Sequence, residues 1–194
     1  MVLERNIKIM AKKVYCISAG HNPSGKIACG ASDLLDESTE ARNVTRRVLY
    51  LLKKQGCKVY NCTTNKGTSQ NDVLKKVVSY HNAHSDAELN ISIHFNSGRG
   101  DRKGDGSIGG TEIWCYGNNG IKKEVSECIL KNMEKLGFKN RGIKDGKNLY
   151  FCNKTAGKAI LVEVCFVDDK DDYLLYKKLG YKKIAEAIAD GILG

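Results

Sequence analysis

Two histidines of this sequence stand at the ends of strand-like segments. His21 follows the apolar run 14–19, and His94 lies in residues 89–97, LNISIHFNS, where apolar and polar residues alternate. Alternation with a period of two predicts a strand that buries one face. Because ligands of α/β proteins bind beyond the carboxyl ends of strands, both imidazoles are candidates for one functional site. For either histidine alone, a hydrogen-bonded core residue is the alternative.

Two glutamates stand in positions where carboxylates could take part in chemistry. Residues 159–167, AILVEVCFV, are apolar on both faces, as in a fully buried parallel strand, with Glu163 as the one charge. Burial of an unpaired carboxylate is costly, so Glu163 is protonated, paired with a cation, or placed beside a metal or water-filled site. Glu40 falls in the first turn of a helix that we expect to begin near Ser38, where it could also simply stabilise the helix dipole.

Two imidazoles and two carboxylates are sufficient for metal-assisted hydrolysis. Two neutral histidines and one carboxylate form a suitable ligand set for Zn²⁺ that leaves a position for water or substrate. A second carboxylate that does not bind the metal can act as general base and then as general acid. The pattern therefore predicts hydrolysis of an amide or an ester.

The segments that position these residues alternate between strands and helices. Strand-like runs at 14–19, 57–62, 89–95, 111–116, 148–152 and 159–167 are separated mostly by stretches with helical spacing of apolar residues. This order predicts an α/β fold with a mainly parallel sheet of about six strands and helices on both faces. We expect residues 1–12 to be an N-terminal extension and residues 13–194 to form a single domain.

The charge, apolar segments and cysteines of the chain limit the partners and the compartment that we expect. The formal net charge of +10 predicts attraction to polyanions, such as anionic wall polymers, but no basic run interleaved with aromatic residues indicates a nucleic-acid partner. There is no segment apolar enough for membrane insertion and no recognisable signal peptide. The eight cysteines lie mostly in apolar segments without a CxxC pair, which predicts free thiols and synthesis in the cytoplasm. His81 and His84, spaced by three, are expected to be surface histidines.

The order of these motifs resembles a known enzyme family. His21 in SAGHNPS, Glu40 in STEARNV, His94 in SIHFNS and Glu163 in LVEVCFVDD follow one another as in the zinc-dependent N-acetylmuramoyl-L-alanine amidases of the third type. These enzymes occur in clostridial phage endolysins and bacterial autolysins. The phrases GGTEIWCY, RGIKDGKNLYFC and KAILVEVCFVDDKDD are also similar to that family, so the resemblance covers residues 13–193.

The resemblance implies a fold and a set of roles. The family fold is an open α/β sheet of about six strands. His21, Glu40 and His94 would be the zinc ligands and Glu163 the catalytic glutamate, with Asn22 and Asn96 expected to contact substrate. The implied activity is cleavage of the amide bond between N-acetylmuramic acid and L-alanine by zinc-activated water, which lyses the cell wall.

Other functions remain compatible with the residues themselves. A zinc peptidase or deacetylase of related architecture would use the same groups, and a non-catalytic module could bind the wall through its basic surface. The implied partner in each wall-directed case is bacterial peptidoglycan, reached after release from the cytoplasm.

Overall fold

A computed structural model describes residues 12–194, which form one six-stranded sheet and five helices. The predicted extension lies outside the described residues apart from Lys12. In chain order the elements are β1 (Val14–Ala19), α1 (Glu37–Lys54), β2 (Lys58–Asn61), α2 (Gln70–Asn82), β3 (Leu89–Asn96), β4 (Thr111–Cys115), α3 (Gly120–Lys135), β5 (Asn140–Asp145), α4 (Tyr150–Lys154), β6 (Ala159–Phe166) and α5 (Lys170–Leu193). None of these helices has the length and apolarity needed to cross a bilayer.

The strands follow the spatial order β2-β1-β3-β6-β4-β5. All neighbouring strands are parallel except β4 and β6, which run antiparallel. The predicted α/β class and mainly parallel sheet are therefore confirmed. Each strand that carries a proposed site residue occupies the centre of this sheet or lies next to it, so its position is fixed by hydrogen bonds on both sides.

The fifth strand differs from the sequence prediction. The last three residues of the run at 148–152 lie in the short helix α4, which places Phe151 and Cys152 in the interior. The strand is instead Asn140–Asp145, a polar edge segment without apolar alternation. Its polar character hid it, because an edge strand that buries little of either face lacks the periodicity on which strand prediction depends.

Helices cover both faces of the sheet, as predicted. One face packs against α1, α3 and α5 around the larger apolar core. The other packs against α2 and α4, with Val73, Val77 and Phe151 in a smaller cluster. All eight cysteines are free thiols, and six of them are buried.

The surface position expected for His81 is wrong. Its side chain is only 1% exposed, because it lies four residues after Val77 on the same stripe of α2 and faces the sheet. His84 comes after the helix and stacks on Tyr60.

Candidate metal centre and active site

Two histidines and one glutamate converge at the carboxyl ends of β1 and β3. His21 Nε2 lies 3.2 Å from Glu37 Oε1, and His94 Nδ1 lies 3.1 Å from the same oxygen. The two imidazole rings meet edge to face with their centroids 4.9 Å apart. One nitrogen of each ring and one carboxylate oxygen lie within 4.8 Å of one another, as the ligands of a single ion would. We name His21, Glu37 and His94 the histidine wall.

Glu37 reaches this position because it is the first residue of α1. Asp36 caps the helix by accepting a hydrogen bond from the Thr39 amide, so the helix begins one residue before Ser38. Glu37 Oε2 accepts from the Ala31 amide, and Oε1 accepts from the Phe95 amide. These amides fix the carboxylate between the loop that follows β1 and the end of β3.

The prediction that Glu40 joins the two histidines is wrong. Glu40 lies almost one turn further along α1, where its carboxylate accepts hydrogen bonds from the Tyr176 hydroxyl and the Asn43 amide. Glu37 takes the place expected of Glu40. Placing the helix start near Ser38 caused the error, since it left Glu37 outside the helix.

His21 has an uncommon backbone conformation. Its φ is +62°, in the left-handed region that a side chain with a Cβ rarely adopts. Arg42 of α1 holds this turn, because its guanidinium donates to the carbonyls of His21, at 2.7 Å, and Gly20, at 3.3 Å. The same arginine also donates to the Thr64 carbonyl. The strained histidine is thus tied to the helix that carries Glu37.

His94 lies across the backbone of Gly20. A Cβ on Gly20 would come within 2.1 Å of the His94 ring, so only glycine fits there. His94 Nδ1 points to Glu37, while Nε2 lies 3.1 Å from the Ser92 hydroxyl. Both ring nitrogens therefore have defined partners.

Glu163 occupies the opposite side of the cleft. On β6 it is the register partner of His94 on β3 and of Glu112 on β4. The cleft between the two sides has a volume of about 530 Å³ and is lined by His21, Glu37, His94 and Glu163. Glu163 Oε2 is inaccessible to solvent and has no hydrogen-bond partner in the described part of the chain.

Glu112 and Arg141 stand beside Glu163. The Glu112 side chain is buried, and its Oε2 accepts from Arg141 Nε at 2.7 Å. Its Oε1 accepts from Asn96 Nδ2 at 2.7 Å and from Trp114 Nε1. We name Glu163, Glu112 and Arg141 the glutamate wall.

The two walls shift the pKa values of their glutamates Glu37 and Glu163 in opposite directions. Burial alone would raise the pKa of Glu37, but hydrogen bonds and charge from His21 and His94 hold it well below its ordinary value. Burial raises the pKa of Glu163 well above its ordinary value, and the charges of Glu37 and Glu112 raise it further. Burial lowers the pKa of His94, although Glu37 opposes that shift. The site thus favours an ionised Glu37 and a protonated Glu163.

The two asparagines predicted to contact substrate differ. Asn22 is 1% exposed, and its amide is used internally: it donates to the carbonyls of Ile27 and Gly67 and accepts from the Gly67 amide. A substrate contact by the Asn22 side chain is therefore a wrong prediction, and its role is to join two loops. Asn96 lines the cleft, so its substrate contact stays a prediction.

Comparison with known sequences identifies the family. The profile of the family Amidase_3, described as N-acetylmuramoyl-L-alanine amidase, matches residues 16–194. The chain belongs to this family.

Curated relatives of this Amidase_3 chain include an uncharacterized protein of Clostridium perfringens, 34% identical over 177 residues. That match covers 91% of this chain and 50% of the relative. The endolysin of Bacillus phage SPP1 is 29% identical over 188 residues, which cover 94% of this chain and 65% of the endolysin. The chain spans about half the length of the C. perfringens relatives it matches.

Solved structures of an endolysin catalytic domain and of an amidase have the same fold. The catalytic domain of the CD27L endolysin targeting Clostridia difficile superposes with a TM-score of 0.80 at 29% identity, covering 93% of this chain and 97% of that one. The catalytic domain of CwlV, an N-acetylmuramoyl-L-alanine amidase from Bacillus (Paenibacillus) polymyxa, gives a TM-score of 0.72 at 26% identity, covering 93% and 96%.

Three residues of the site had no place in the sequence prediction: Glu37, Glu112 and Arg141. Glu37 would have followed from choosing Asp36 as the helix cap, since Asp is as good a cap as Ser. Glu112 was visible as the one charge in the strand-like run 111–116. Arg141 begins the phrase RGIKDGKNLYFC, but no strand pattern placed it near the site, because it lies on the edge strand that lacks alternation.

Proposed function

We propose that this domain is a zinc-dependent hydrolase that cleaves the amide bond between N-acetylmuramic acid and L-alanine in peptidoglycan. The observation that carries the proposal is the convergence of His21, Glu37 and His94 on one side of a cleft, with Glu163 on the other. Membership of the amidase family and the fold shared with the catalytic domains of an endolysin and an N-acetylmuramoyl-L-alanine amidase support the choice of substrate.

The residues of the histidine wall suit a zinc ion. Glu37 Oε1 lies within 3.2 Å of two imidazole nitrogens, so three donor atoms of types that bind zinc converge on one point. Two imidazoles with one carboxylate are a common donor set for catalytic zinc. We assign His21 Nε2, Glu37 Oε1 and His94 Nδ1 as the ligand atoms. Glu163 stays off the metal, as the proton carrier.

The chain's own groups then divide the work of hydrolysis. When bound, Zn²⁺ would supply a Lewis acid for the carbonyl and water oxygens and a positive charge that offsets the carboxylate of Glu37. With that charge offset, Glu163 would ionise, and its carboxylate would accept the proton of the water that attacks the carbonyl carbon. It then donates this proton to the L-alanine nitrogen as the amide bond breaks, so the stem peptide leaves with a free amine.

The new chemical end group tests the assignment directly. Purified peptidoglycan treated with the protein should gain free amino groups on L-alanine, at a rate that a chelator suppresses and added zinc restores. The Glu163→Gln variant serves as the matched control, because it keeps the three ligand residues. A deacetylase would instead release acetate, and a peptidase would expose a different amino-terminal residue.

Either of those products would overturn the proposed bond specificity. Wall binding without any new end group would overturn the enzymatic function and favour a binding module. Attraction to anionic wall polymers and the route from the cytoplasm to the wall stay predictions.

A further inference from the structure

A line of buried polar side chains runs from His94 across the sheet to α2. His94 Nε2 lies 3.1 Å from Ser92 Oγ, and Ser92 Oγ lies 3.2 Å from Ser18 Oγ. Ser18 Oγ is 3.0 Å from His81 Nε2, and His81 Nδ1 is 2.9 Å from Asn90 Oδ1. Ser18, Ser92, His81 and Asn90 are each at most 3% exposed. We name these four residues the polar chain.

The direction of every hydrogen bond in the polar chain follows from its far end. The nitrogen of the Asn90 amide lies 3.1 Å from the Lys158 carbonyl oxygen, which can only accept. The Asn90 oxygen therefore faces His81, so His81 Nδ1 must carry the proton. Burial lowers the pKa of His81 to about 4, so the ring is neutral at pH 7 and its Nε2 is an acceptor.

The donor and acceptor roles at His81 determine those at His94 through the hydroxyls of Ser18 and Ser92. Ser18 must donate its proton to His81 Nε2, which leaves its oxygen to accept from Ser92. Ser92 then donates to Ser18 and accepts from His94 Nε2. His94 consequently carries a proton on Nε2, which leaves Nδ1, 3.1 Å from Glu37 Oε1, as the nitrogen that can bind an ion.

We propose that Ser92, Ser18, His81 and Asn90 are positioning residues that fix His94 as the tautomer protonated on Nε2, so that its Nδ1 is prepared to bind a metal ion. The proposal rests on the zinc site proposed above and assigns a task to residues that do not touch that site. Hydrogen bonds from a ligand's second nitrogen orient the ring and strengthen it as a ligand.

A second metal site at His81 is the alternative use of the same residues. Cys16 and Cys62 lie close to His81, and one potential ligand atom of each lies within 4.8 Å of the others. Both ring nitrogens of His81 are already engaged by Asn90 and Ser18, however, so neither has a lone pair free for an ion. The geometry favours hydrogen bonding over metal binding here.

Zinc affinity of buried serine variants tests the proposal. Ser92→Ala removes the acceptor for His94 Nε2 and should weaken zinc binding about tenfold to hundredfold, measured by competition with a chromophoric chelator. Ser126→Ala is the matched control, since Ser126 is equally buried and its hydroxyl has no partner within residues 12–194. It should bind zinc like the wild type.

Ser92→Thr separates the hydroxyl from general packing effects. It keeps the hydroxyl, and a cavity of about 50 Å³ bordered by Ser92, Val77 and Phe151 can take the extra methyl group. Threonine should therefore retain the wild-type zinc affinity. Affinities that are equal in Ser92→Ala and Ser126→Ala would overturn the positioning role while leaving the proposed hydrolase intact.

Nitrogen-15 NMR of the His94 ring in the metal-free protein at pH 8 gives a readout that does not depend on zinc. The wild type should show a proton on Nε2, and His81→Phe should shift the population toward Nδ1–H. A wild-type ring protonated on Nδ1 would overturn the proposal. The zinc content of the purified protein tests the alternative of a second metal site at His81. If the wild type bound two equivalents of zinc and His81→Phe bound only one, the positioning role of His81 would be overturned.

Discussion

The two walls of the cleft each carry a glutamate, yet the surroundings of these glutamates are opposite. Glu37 accepts from two backbone amides and faces two imidazoles, and its pKa is held low. Glu163 faces two other carboxylates, has an oxygen without a partner among the described residues, and its pKa is raised. Burial opposes ionisation of both, so their neighbours determine the difference.

This difference separates two tasks that one residue type could perform. A carboxylate that is ionised beside two imidazoles is suited to hold a cation throughout a reaction. A carboxylate that ionises only when positive charge arrives is suited to take a proton and return it. The residues that contact the two walls differ as well. His94 is hydrogen-bonded to the uncharged polar chain, whereas Glu163 lies beside the ion pair of Glu112 and Arg141.

Removing the charge of Glu37 should have the largest effect. Glu37→Gln is expected to abolish both stoichiometric zinc binding and hydrolysis, because it removes the charged ligand between the two histidines. Glu40→Gln is the matched control three residues away, and it should keep the bound zinc, since Glu40 contacts Tyr176 and Asn43 instead. Metal analysis of the two purified variants checks this, and the reverse result would restore Glu40 as a ligand.

Glu163→Gln should affect chemistry without affecting the metal. Loss of the proton carrier is expected to reduce the release of L-alanine amino groups by about 10²- to 10⁴-fold. Zinc content should equal that of the wild type, because the amide cannot disturb the opposite wall. A variant that hydrolyses normally, or that loses its zinc, would mean that the two walls do not divide the work as described.

Because His81 of the polar chain is neutral in the folded protein, the free energy of unfolding should decrease in acid. The pKa of His81 falls from 6.5 to about 4 on burial, so the unfolded chain binds more protons than the folded one between these values. Stability should therefore decrease as pH falls from about 6.5 toward 4, by about 3 kcal/mol in total from this group. Urea unfolding at pH 7 and pH 5 should show a smaller pH difference in His81→Phe than in the wild type. Equal pH differences would indicate a charged His81.

Glu112→Gln should produce the smallest change. The charge of Glu112 contributes to the raised pKa of Glu163, so its removal should lower that pKa. The acidic limb of the hydrolysis profile should then move to lower pH by less than about one unit. A shift to higher pH would show that the Glu112–Arg141 pair acts on Glu163 through structure instead of charge.

Sequence reasoning located the strands that carry the site better than the side chains that complete it. Alternation and strand-end position were sufficient for His21 and His94, because a central strand fixes its own residues in the sheet. Glu163 was found because a single charge in an apolar strand is conspicuous. These signals are local, so they can be recognised in the sequence without knowledge of the fold.

The errors concern positions that depend on contacts between distant segments. The choice between Glu37 and Glu40 depends on which of Asp36 and Ser38 caps α1, and both are good caps. Asn22 looked accessible in a polar loop, but the loop at Gly67 covers it. For His81, spacing from Val77 could have predicted burial, but its partners on β1 and β3 could not be predicted from the helix alone.

Crystallography with anomalous scattering at the zinc edge is the most direct test of the division between the walls. We expect one zinc peak about 2.0–2.2 Å from His21 Nε2, a Glu37 carboxylate oxygen and His94 Nδ1, with Glu163 uncoordinated. A peak coordinated by Glu40 or by Glu163, or no peak at the two histidines in a zinc-loaded, active protein, would contradict it.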